Sequence, residues 1–68
     1  MFDARQAFKG ISGRSFKFRG LRKELEKISA EHLAEIPAEF GIRELMLLAQ
    51  QHKWLKEEKG GRLRIRVA

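Results

Sequence analysis

The sequence predicts a small α+β domain with three helices, a C-terminal β-hairpin and a short N-terminal strand. Three observations support this prediction. Apolar residues recur at helical spacing through the middle of the chain, a strictly alternating segment follows a Gly-Gly pair, and a shorter alternating segment precedes the first helical pattern. Because the chain has 68 residues and no cysteine, it forms one domain at most, with a core that depends on apolar side chains alone.

The N-terminal segment, residues 1–13, is the least regular part of the chain. Asp3–Lys9 could begin a short helix, but Gly10 and Gly13 interrupt any period within a few residues. We therefore expect a basic, flexible arm over residues 1–13 and a single folded domain over residues 14–68.

The next segment, Arg14–Arg19, has the alternation of a half-buried strand. Phe16 and Phe18 alternate with polar and basic residues, and Gly20 ends the pattern. If this strand pairs with the C-terminal strand, both phenylalanines face the core and the outer face of the two strands is uniformly cationic.

Residues 21–36 carry apolar side chains at helical spacing and allow two interpretations. Ser29 is a suitable N-cap for a separate short helix over Ala30–Ile36, which would be buried through Leu33 and Ile36. One continuous helix is the alternative, and Pro37 ends the segment in either case.

The C-terminal half predicts a third helix over residues 41–53, followed by Trp54 closing the core beneath it. Gly60 and Gly61 indicate a turn, and Arg62–Val67 then alternates three arginines with three aliphatic residues, which predicts a strand. The apolar stripe of the third helix consists of Ile42, Leu45, Leu48, Ala49 and His52.

Five stretches together are similar to a known family: Ile28–Ile36, Gly41–Leu45, Trp54-Leu55, Gly60-Gly61 and Arg62–Val67. They resemble a winged helix-turn-helix domain. In that family a short second helix leads through a tight turn into a third, recognition helix, and a two-stranded wing follows. The resemblance implies that residues 41–53 form the recognition helix and 54–67 the wing. The family usually places its extra strand between helices one and two, whereas here the predicted strand precedes the first predicted helix.

The charge of the chain is segregated along the sequence. Residues 1–23 carry a net charge of +6, residues 24–58 carry −4, and residues 59–68 carry +4. A mixed-sign middle between two cationic ends favours a polyanionic partner, and nucleic acid is the commonest such partner of a small basic domain.

The predicted nucleic-acid contacts follow from these charges and from the resemblance. Three arginines on one face of the last strand match successive phosphates, although a solvated edge strand that resists aggregation uses charge in the same way. Leu47, on the polar side of the third helix, would meet a thymine methyl group or a second protein chain. The predicted nucleic-acid-binding residues are Arg14, Lys17, Arg19, Arg43, Gln50, Gln51, Lys53, Arg62, Arg64 and Arg66.

Double-stranded DNA is the expected partner, and a transcriptional regulator would suit this size. The alternatives are an interaction module that binds protein through Leu47 and Glu44 of the last helix, and an RNA- or ribosome-binding protein that uses the same basic surfaces. A homodimer is also compatible with the pattern, with Leu47, Phe2 and Phe8 as candidate contacts.

Catalysis is not expected, because no nucleophile–base pair or paired carboxylate stands out in the sequence. His32 and His52 lack a third matched ligand for a metal site, so we expect no metal and no cofactor. Since no window has the length and composition of a membrane span, the expected location is the cytoplasm.

Overall fold

The structure, a computed structural model, describes residues 2–68. It confirms the α+β class, with three helices and a three-stranded antiparallel sheet. The elements in chain order are α1 (Ala4–Lys9), β1 (Ser15–Phe16), α2 (Phe18–Glu31), α3 (Ile42–Gln51), β2 (Leu55–Glu58) and β3 (Arg62–Ile65). No helix within residues 2–68 combines the length and the apolar character that crossing a bilayer requires.

The N-terminal segment is part of the folded domain, which corrects the predicted arm over residues 1–13 and the domain boundary at residue 14. Helix α1 is capped by the Asp3 side chain, which accepts a hydrogen bond from the Gln6 amide at 3.2 Å. Phe8 is fully buried, and Ile11 joins the same core. Gly10 and Gly13 therefore follow the end of a short helix rather than prevent it. Met1 lies outside the described residues.

The predicted strand over Arg14–Arg19 is also corrected, because only Ser15–Phe16 pair and α2 already begins at Phe18. Phe18 stands three residues before Leu21, which is the spacing of a helical stripe, so its alternation with Phe16 is coincidental. Phe16 is buried as predicted, but the side chain of Phe18 is 58% exposed.

Helix α2 is a single helix that ends at Glu31. The predicted short helix over residues 30–36 is absent, and the alternative helix over 21–36 is too long. Turns connect α2 to α3 over residues 32–41, and Leu33, predicted to be buried, is 72% exposed. Ile36, predicted to be buried together with Leu33, is buried in this connection.

The sheet has the order β1–β3–β2, so the C-terminal strand lies at its centre. β1 pairs with β3, and β2 pairs with β3 through the register Glu58↔Arg62. Gly60 and Gly61 connect β2 to β3 with φ angles of 75° and 73°, which glycine adopts without steric cost.

The core lies between the sheet and the helices. Trp54 is buried and its ring centroid lies 5.6 Å from that of Phe8, so α1 is packed against the segment that follows α3. The core residues are Phe8, Ile11, Phe16, Leu21, Leu25, Ile28, Leu45, Ala49, Trp54 and Ile65.

Candidate nucleic-acid interface

Helix α3 has one buried side and one exposed side. Leu45 and Ala49 are buried against the core. The opposite side carries the α3 stripe, defined here as Arg43, Leu47, Gln50 and Gln51, which are all exposed. These positions follow the i, i+4, i+7, i+8 spacing of one helical face. The structure thus places on one exposed face of α3 the three predicted nucleic-acid contacts of this helix and Leu47.

Two charged residues of this segment lie outside the stripe. The Glu44 carboxylate accepts a hydrogen bond from the Gly41 amide at 2.6 Å, which stabilises the N-terminus of α3. Its negative charge therefore has a structural role. Lys53 follows the helix in a left-handed conformation, with φ of 60°, and is exposed.

The arginines of β3 do not form a free cationic row. Arg62 donates from Nε to Ser15 Oγ at 3.0 Å and from Nη2 to the Ser15 carbonyl at 3.0 Å. Arg64 donates from Nε to Glu58 Oε2 at 2.8 Å and from Nη1 to the Gly13 carbonyl at 2.8 Å. This corrects the prediction of a uniformly cationic outer face, because Glu58 of β2 lies on that face.

The hydrogen bond from Arg64 lowers the pKa of Glu58 below its usual value of 4.5, with a further contribution from Ser15. Glu58 is therefore a charged acceptor at neutral pH, and it competes for Arg64 with any phosphate that approaches the sheet. Each arginine keeps N–H donors beyond those used within the chain, because a guanidinium carries more donors than these contacts need. Arg66 follows β3 and is exposed.

The predicted contacts near the N-terminus are divided between two places. Arg14 lies before β1, with its guanidinium 4.9 Å from the ring centroid of Phe16 and 3.9 Å from a carboxylate oxygen of Glu24. Lys17 and Arg19 lie instead at the N-terminus of α2, where Lys17 is the N-cap residue.

The N-terminus of α2 has an unfavourable charge. No side chain caps it, and its first turn has no acidic residue. Basic side chains at this end oppose the helix dipole, so an anion bound there would stabilise the helix. The exposed basic residues at this end of α2 are Lys17, Arg19, Arg22 and Lys23.

No three histidine, aspartate or glutamate side chains within residues 2–68 come together in a group that could hold a metal ion. His32 Nδ1 lies 3.3 Å from Glu35 Oε1, and the His52 ring stacks on Trp54 with centroids 4.4 Å apart.

Three residues of the candidate interface escaped the sequence prediction: Ser15, Glu58 and Arg22. Glu58 could have been found by extending a hairpin backward from the Gly-Gly turn, because a tight turn sets Glu58 opposite Arg62. Ser15 and Arg22 have no such local indication, since their roles depend on the pairing of β1 with β3 and on the packing of α2 against α3.

Comparison of the chain with protein-family models, with curated proteins and with solved structures found no match in any of the three.

Proposed function

We propose that this chain is a winged-helix domain that binds double-stranded DNA and acts as a transcriptional regulator in the cytoplasm. The observation that supports this most strongly is the order of elements: helix, strand, helix, helix, strand, strand. Because α1 precedes β1, the extra strand lies between the first two helices, where the winged helix-turn-helix family usually has it. Helix α3 then corresponds to the recognition helix, and β2–β3 to the wing.

Two features differ from the family pattern. Helix α2 has 14 residues, whereas the family has a short second helix. The connection over residues 32–41 replaces the tight turn. Both differences lie before α3 and leave its exposed side open.

The α3 stripe has side chains suited to the major groove. An arginine pairs with guanine, and a glutamine pairs with adenine, each through two hydrogen bonds to a base edge. Arg43, Gln50 and Gln51 supply these groups, and Leu47 between them can contact a thymine methyl group.

Phosphate contacts would come from the exposed cations outside the α3 stripe. Lys17 and Arg19 at the N-terminus of α2 combine positive side chains with free backbone amides, a combination that phosphate binds readily. Arg66 is exposed beside the hairpin, while Arg62 and Arg64 reach phosphate only with the donors left over from their internal bonds. We assign Arg14 and Lys53 to the same class of contact.

Alanine substitutions separate base contacts from phosphate contacts. Gln50→Ala should relax the base preference at one position, whereas Arg66→Ala should weaken binding to all duplexes and reduce the salt slope by about 1. Lys27→Ala is the matched control, because Lys27 is exposed but already lies 3.5 Å from Glu24. The readout is fluorescence anisotropy of a labelled duplex library, and equal effects of all three substitutions would contradict the proposal.

A protein-binding module is the second candidate, and the 49% exposure of Leu47 favours it. Leu47→Ala would then abolish capture of a protein partner, while Arg66→Ala would leave it unchanged. Competition among duplex DNA, single-stranded DNA and structured RNA tests the remaining alternative of an RNA-binding protein.

A further inference from the structure

A small groove lies where the N-terminal ends of α2 and α3 meet. Its volume is about 260 Å³. Three apolar residues, Phe18, Ile42 and Met46, line it together with Arg22 and Arg43. These five residues define the surface called here the basic groove. Its volume is below the range of roughly 300–1,000 Å³ that small-molecule sites occupy. Its size therefore fits a single large side chain of a protein better than a free ligand.

The composition of the basic groove is that of a protein interface. Phenylalanine, methionine and arginine are enriched at interface cores, and Phe18 exposes more than half of its surface. Neither Arg22 nor Arg43 has a carboxylate within 4.0 Å among residues 2–68. An apolar side chain flanked by acidic residues would therefore complement the groove.

The same chain carries such a segment on the turn after α2. Leu33 is 72% exposed, more than any other large apolar side chain in the described part of the chain. Glu31 and Glu35 flank it, and both are exposed. This segment, residues 31–35, is called here the acidic turn. Its charge and its exposed leucine complement the basic groove.

We propose that the chain self-associates by inserting Leu33 of one copy into the basic groove of another, with Glu31 and Glu35 facing Arg22 and Arg43. The two surfaces lie at opposite ends of α2. Two antiparallel α2 helices would therefore form a closed dimer with two such contacts, whereas head-to-tail contacts would form an open chain. The proposal does not depend on DNA binding, because neither surface requires nucleic acid. Arg43 nevertheless belongs to both the α3 stripe and the basic groove, so association and DNA binding compete for that residue.

The first experiment measures the mass of the whole chain by sedimentation velocity from about 10 µM to 1 mM, without nucleic acid. We expect the average mass to rise with concentration, because a contact of this size is weak. The rise should be smaller at high salt, since the flanking charges are exposed. A monomer at all concentrations would overturn the proposal and leave the groove to DNA or to another acidic protein.

Two substitutions test the two surfaces separately. Leu33→Ser and Arg22→Glu should each raise the apparent Kd at least about tenfold. Leu47→Ser is the matched control, because it removes a second exposed leucine that is outside the basic groove. If Leu47→Ser abolishes association while Leu33→Ser does not, the interface lies on the α3 stripe and the proposal is wrong.

Mixing the two variants distinguishes a lost contact from a lost fold. Leu33→Ser keeps an intact groove and Arg22→Glu keeps an intact turn, so the mixture regains one complete contact. We expect 1:1 pairs that are weaker than the wild-type assembly and stronger than either variant alone. Circular dichroism checks that both variants fold, and Phe18→Ser replaces Arg22→Glu if the latter does not. Failure of two folded variants to pair would overturn the proposal.

Discussion

Replacing Phe8 by alanine tests most sharply whether the N-terminal segment belongs to the core. Phe8 is fully buried and its ring lies 5.6 Å from that of Trp54. Removing a buried phenylalanine costs about 3–5 kcal/mol. A domain of this size has a free energy of unfolding of roughly 3–10 kcal/mol, at about 0.05–0.15 kcal/mol per residue. Phe8→Ala should therefore remove between about a third and all of the stability of the domain.

Phe18→Ala is the matched control, because the same side chain is lost from a position that is 58% exposed. The cost there should stay within about 1 kcal/mol. Urea unfolding at 25 °C, followed by far-UV circular dichroism and by the fluorescence of Trp54, measures both variants. If Phe8→Ala costs no more than Phe18→Ala, the sequence-based assignment of residues 1–13 to an arm is correct and the packing of α1 described above is not.

The remaining predictions concern the hairpin and its charge network. Because the pKa of Glu58 is lowered in the folded state, its bond to Arg64 stabilises the domain above about pH 4.5 and is lost as the pH falls through the folded pKa. Glu58→Gln should therefore flatten the decrease in Tm between pH 5 and about pH 3, and parallel curves would argue against this role. Gly60→Ala should destabilise the domain by about 1 kcal/mol, since φ is 75°. Gly10→Ala, at φ of −63°, should instead stabilise it by about 0.4–1 kcal/mol. Equal Tm shifts in the two variants would contradict the opposite signs predicted for them.

Some elements could be predicted from the sequence because their periodicity is local. Helix α3 shows its buried side through Leu45 and Ala49, and the Gly-Gly pair marks the turn before β3. The six residues of α1 are too few to show a helical period, so the burial of Phe8 depends on contacts with distant residues such as Trp54.

The candidate site was predictable to a similar extent. The α3 stripe follows from helical spacing alone. The long-range partners of Arg62 and Arg64 could not be predicted in this way, because Ser15 and Gly13 come from β1 and its preceding turn, about 50 residues earlier in the chain. Leu33 was misassigned because its spacing to Ile36 is helical, but α2 ends before it and Ile36 alone is buried.

The most direct test of the central claim is the salt dependence of binding to a mixed-sequence DNA duplex, measured by fluorescence anisotropy at about 50 and 200 mM salt. Five phosphate contacts, from Lys17, Arg19, Arg66, Arg14 and Lys53, predict a slope of about −4.5 in log K against log salt. Affinity should then fall about 500-fold between the two conditions. Absence of binding at the lower salt, or an affinity that does not change with salt, would contradict the proposed function.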